Sequence, residues 1–169
     1  MANKYLKHSA GNIVEQEATG TSAGAGDAGK IVALNATGKV DETMMPPGVA
    51  ADVALLTASE NLAAGDLVNV YSNVGVASCR KADASNGRTA DGFVIANVLS
   101  DQPASVYFEG LNDQKSALTI GANQYLSGTT PGGVTETPPS TAGYIVQKVG
   151  KAHSATAFSF EPQQPITLA

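Results

Sequence analysis

Between Ala50 and Leu168 the chain breaks into short β-prone stretches, each closed by a turn signal, and this rhythm constrains the fold more than any other feature. Val53–Thr57, Leu67–Tyr71, Gly75–Arg80, Asp91–Val98, Ala104–Glu109, Gln124–Ser127, Gly143–Val149 and Ala157–Phe160 read as strands. Ser72-Asn73, Ser85-Asn86-Gly87, Ser100–Pro103, Gly110–Asp113, Gly128–Gly133 and Pro138–Thr141 read as turns, being rich in residues that tolerate or preset turn geometry. No stretch after Gly65 sustains a helical apolar period. Ala51–Ala64 is Ala/Leu-rich and could hold a helical turn, but a strand at Val53–Thr57 with a turn at Asn61–Asp66 is the preferred reading. Short strands at this spacing predict an all-β fold, a small β-barrel or sandwich, over residues 49–169.

Composition points the same way. Hydrophobic residues make up 43% of the 169, enough for one sizeable core, yet aromatics are only 5% and there is no Trp. Small and β-branched residues suit thin β-layers better than a helical core. Charged residues are 15%, against roughly 25% in an average soluble domain. So little charge fits either a Thr/Ser/Asn-rich surface or a surface covered in an assembly. The net charge is −5, and no Lys/Arg run exceeds Arg80-Lys81, so the clustered basic footprint of a nucleic-acid binder is missing. No apolar run resembles a signal peptide or approaches a membrane span, and a soluble protein made in the cytoplasm is expected.

Residues 1–48 differ in texture: polar, Gly-rich, with short apolar islands at Ile13-Val14, Ile31–Leu34, Val40 and Met44-Met45. They read as an extended N-terminal arm. Thr19–Gly29 is low-complexity and reads as a linker or hinge. Asn35–Gly38 is a turn signal between two extended pieces, and Pro46-Pro47-Gly48 closes the arm. An apolar, β-prone segment on a tether cannot bury its own side chains. It therefore docks on a partner or neighbouring subunit, or folds back over one end of its own barrel. The contact residues expected for docking are Lys30, Ile31, Val32, Leu34, Val40, Met44 and Met45, the methionines being adaptable apolar contacts.

Catalytic and metal motifs fail one by one. Gly24–Lys30, GAGDAGK, satisfies GxGxxG and the first part of a P-loop. Both motifs need a buried strand before the loop and a helix after it; here the preceding residues are polar, the following IVALN is strand-like, and Lys30 is followed by Ile31 instead of Ser or Thr. The lone Cys79 excludes an internal disulfide and reads as a small buried hydrophobe. His8 and His153 show no metal-ligand spacing, no GxSxG elbow is present, and Asp41-Glu42, Asp83, Asp91 and Asp101 match no EF-hand. No catalytic residue, cofactor or metal is expected; an enzyme would have to rely on Cys79 with His153. A carbohydrate-binding module would want an aromatic platform, which five Tyr and no Trp support poorly.

The phrases AGKIVALNATGKVDETMMP, GDLVNVY, ADGFVIANV, ASVYFEGLN, LTIGANQYLSGTTPGGVTETPP and GYIVQKVGKA resemble structural proteins of tailed bacteriophages, best of all the capsid decoration, or cement, proteins. The resemblance runs from about Ala28 to about Ala157, and two of the phrases are also similar to segments of tail and fibre proteins. It implies a compact β-barrel or sandwich with an extended N-terminal arm. It also implies a homo-oligomer, a trimer more often than a dimer, on the outer capsid surface of the virion. The partner would be the major capsid protein, with no direct contact to nucleic acid or membrane. A tail, fibre or baseplate component is the alternative it leaves open.

Overall fold

A computed structural model describes residues 3–36, 38–41, 44–45 and 52–169. The Pro46-Pro47-Gly48 break, the expected boundary at 48/49, Thr37 of the expected turn and Glu42 lie outside the described residues. The chain forms two compact units, Met1–Ala50 and Ala51–Ala169. No helix among the described residues is long and apolar enough to cross a membrane.

In the first unit, β1 (Lys4–Ser9) and β2 (Asn12–Glu17) form an antiparallel hairpin with Lys4 opposite Glu17 and Ser9 opposite Asn12. Ala10 and Gly11 join them with φ of 50° and 84°, the two-residue turn whose twist matches the strands. Residues 31–33 lie alongside the residue after the hairpin: Thr19 bridges Val32 in parallel, donating to the Ile31 carbonyl at 2.9 Å and accepting from Ala33 at 2.8 Å. The expected turn at 35–38 is present, with the Gly38 N–H donating to the Asn35 carbonyl at 2.9 Å and the Lys39 N–H to Asn35 Oδ1 at 3.0 Å.

The second unit is all-β. Strands β3 (Val53–Ala58), β4 (Leu67–Asn73), β5 (Val76–Lys81), β6 (Gly92–Phe93) and β7 (Pro103–Tyr107) close a five-stranded barrel in the order β3-β5-β4-β6-β7. Its one parallel pair is β3 with β5, Thr57 lying opposite Ser78. A second sheet is built from β8 (Gly110–Asn112), β9 (Asn123–Leu126), β10 (Val134–Thr135), β12 (Lys148–Ala152) and β13 (Phe158–Phe160), in the order β10-β9-β12-β13-β8. β11 (Ile145–Val146) pairs separately with β14 (Ile166–Thr167). Barrel and packed sheet thus occur together, where the sequence left them as alternatives.

Period-two alternation builds two cores from the same strands. Val68, Cys79, Val94, Ala104 and Val106 fill the barrel, whereas Leu67, Phe93 and Tyr107 point outward, against Leu126, Val149, Phe158 and Phe160 of the second sheet. Phe93 holds this second core together: its ring stacks on Tyr107 at 5.5 Å and meets Phe160 edge-on at 5.4 Å. Each fully buried Leu, Val or Phe contributes about 1.5–3 kcal/mol.

Three expected elements change. Asp91–Val98 is a strand only at Gly92–Phe93, because Val94 then bonds to Asp66 and Gly65 and Val98 bridges Leu62. Gly143–Val149 divides at Gln147, whose side-chain amide is drawn to the backbone of Ala90. Gly110–Asp113, read as a turn, begins with the outer strand β8.

Candidate functional site

The described residues of the first unit form a folded surface without a core. Not one of its described residues is buried. The register of the hairpin puts Lys4, Leu6 and His8 on one face with Ile13, Glu15 and Glu17, and on that face Leu6 is 74% exposed and Ile13 73%. An ion pair of 2.7 Å between Lys4 and Glu15 crosses the same face, at a solvent-exposed position where such pairs are worth little. The other face carries Tyr5, whose hydroxyl accepts from the Ile31 N–H at 3.3 Å.

Of the expected contact residues, Ile31, Val32, Leu34, Val40 and Met45 are exposed. Val32 and Met44 line a shallow cleft of about 240 Å³ together with Thr19, Ala28 and Lys30. Leu34 and Val40 flank the turn at 35–39. Leu6 was missed by the sequence reading, and Ile13 was named as part of an apolar island but not as a contact residue. Their signal was faint: KYLKHS and NIVEQE carry adjacent apolar residues without alternation, and only the Ala-Gly pair between them marks a turn.

The Gly-Lys motif, read as a linker or hinge, forms a turn. It closes on its own carboxylate: Asp27 Oδ2 accepts the Ala23 N–H at 2.6 Å, Asp27 Oδ1 takes the Lys30 ammonium at 2.7 Å, and a short 3-10 turn spans Ala25–Asp27. Lys30, then the Ala23 N–H, hold the Asp27 carboxyl below its usual range, and Asp27 raises Lys30 in return. The lysine that would meet a phosphate is thus already neutralised, and the chain leaves the turn extended, without the helix a phosphate site requires.

Cys79 lies inside the barrel, and burial pushes its thiol up to about 11, so at neutral pH it is protonated as well as enclosed. His153 lies in the bend after β12, with its Nε2 3.0 Å from the Ser159 hydroxyl. Among the described residues no three His, Cys, Asp or Glu side chains converge on a metal-sized point.

No protein-family model matches the chain, and neither a curated protein nor a solved structure does.

Proposed function

We propose that this chain is a virion structural protein that binds the outer surface of an assembled phage capsid and stabilises it, with the first unit as the contact. The observation that carries this reading is a folded unit, none of whose described residues is buried, that holds Leu6, Ile13, Ile31, Val32, Leu34 and Val40 in solvent. A hairpin that buries none of its apolar side chains gains little from folding by itself, and a partner surface supplies the missing burial. The phage-like phrases name the kind of partner: the major capsid protein, met by a small homo-oligomer, a trimer before a dimer.

Each arm contributes a modest apolar contact. Arms joined through an oligomer bind with a high effective concentration, so weak contacts sum to firm attachment. A site formed where subunits meet in the expanded shell, and absent from the precursor, would make attachment selective for mature particles.

Full-length protein carrying Leu6→Asp, Ile13→Asp, Ile31→Asp and Leu34→Asp should lose co-sedimentation with mature shells by about a hundredfold or more, the loss expected from abolishing several apolar contacts. Circular dichroism should show the second unit still folded. Unchanged decoration would remove the first unit as the anchor. Immunogold labelling on tails instead of heads would replace the capsid reading with the tail or baseplate one.

A further inference from the structure

A cleft of about 320 Å³ lies between the loop 114–118 and β10, wholly within the second unit. In its wall is Gln124 of β9, fully buried; among the described residues no protein group stands in hydrogen-bond geometry at its carbonyl oxygen or its amide nitrogen, and only the Glu136 carboxylate interacts with its side chain. Alternation puts Gln124 on the same strand face as Leu126, which packs into the aromatic core. An apolar side chain would serve that position, and an unanswered amide costs about 1–3 kcal/mol for each orphaned group.

The unit's other buried amides are answered. Asn112 donates to the Gly65 carbonyl at 3.0 Å and accepts from the Gln114 N–H at 3.2 Å. Gln147 embraces one backbone residue, accepting the Ala90 N–H at 2.7 Å and donating to its carbonyl at 3.1 Å.

Charged side chains join Gln124 in the cleft, beside the apolar Leu118 and Val134. Lys115 donates to the Gly132 carbonyl at 3.2 Å, and its ammonium has further protons to give; burial lowers its pKa against the pull of Asp66. On the rim the Glu136 carboxylate accepts the Thr119 N–H at 2.6 Å. The Thr119 N–H and hydroxyl, with a smaller effect from the nearby Gln124 amide, hold Glu136 ionised. A closer approach of Glu136 would answer only the nitrogen of Gln124, because a carboxylate has no proton to offer the oxygen. Ala117, also in the wall, has a φ of 57°, a left-handed backbone that its Cβ makes costly.

We propose that this cleft docks an extended peptide segment of a partner protein. Both polar atoms of Gln124 are closed to solvent, so docking shifts the cleft wall, and one residue of the segment then presents its N–H to the Gln124 oxygen and its C=O to the Gln124 nitrogen, as Ala90 does to Gln147. Lys115 takes a neighbouring carbonyl or acidic side chain. β10 is the outer strand of its sheet, so an extended segment can run beside it. A saccharide fits less well, since no aromatic ring lines the cleft. The site stands whether or not the first unit binds capsid.

The test starts from a ribosome-displayed library of short random peptides selected on the full-length protein. Enriched peptides are then titrated against wild type, Gln124→Leu and Lys115→Gln. Gln124→Leu should weaken them by about tenfold or more and Lys115→Gln by a smaller factor. In the wild type the ¹⁵N side-chain resonance of Gln124 should move as peptide is added, a readout that needs no variant to fold. Failure to enrich any peptide, equal affinity for Gln124→Leu, or a Gln124 resonance that stays fixed would each overturn the proposal. Gln124-dependent binding on a glycan array would overturn it in favour of a saccharide.

Discussion

Val74 stands at φ 51° on the tip of the β4–β5 hairpin, 99% exposed, with Gly75 beside it at 83°. The two-residue loop needs both residues in the left-handed region, where a β-branched side chain costs about 1–2 kcal/mol and Asn next to nothing. With no packing to lose, Val74→Asn should stabilise the fold by about 1 kcal/mol and raise Tm by a few degrees in thermal unfolding. An unchanged Tm would mean that the strain is relieved elsewhere. Single residues were legible in the sequence where only local pattern mattered. Cys79 reads as a buried hydrophobe and is one. Gln124 was not legible: alternation tells which face an amide occupies, never whether something answers it. For Gln147 the answering residue, Ala90, is 57 positions away.

Among elements, most strands of the second unit could be read from β-branched runs between turn residues, and their ends could not. Where β6 stops is decided by Asp66 and Gly65, which take the Val94 backbone in place of a strand neighbour. The β1–β2 hairpin escaped notice because both its faces carry polar residues, leaving little apolar amplitude to detect. The turn at 22–30 was legible as a loop from its glycines, but its closure on Asp27 was not. Its closure should depend on pH in a definite direction. Asp27 has a lowered pKa, so its contribution is complete above the unfolded carboxyl's value and is lost as pH falls through the lower, folded one. The Ala23 amide shift should therefore titrate with a midpoint below the usual Asp value of about 4. A midpoint at or above that value would show that the Lys30 and Ala23 bonds do not hold the carboxylate.

At the scale of the molecule, the all-β architecture of residues 52–169 follows from the spacing of short strands, but its closure does not. Closure rests on β3 pairing with both β5 and β7, and no local signal announces a partner so far along the chain. The texture of residues 1–48 was read as an extended arm, whereas Met1–Ala50 forms a compact unit. That its described residues bury nothing became visible only with side chains in place. In the second unit, β4 and β6 each send one residue into the barrel and the next against the aromatic sheet: Leu67 and Val68 on one strand, Phe93 and Val94 at the end of the other. Neither layer can therefore melt alone. Native-state hydrogen exchange should find amides of β4, β5, β12 and β13 opening at a single free energy. Phe93→Ala, expected to cost about 3–5 kcal/mol, should lower all of them together. Slow amides in the barrel beside fast ones in β12 and β13 would mean separate foldons. With a shared wall, heat or denaturant meets one cooperative barrier, and the body of the protein is either wholly intact or wholly lost.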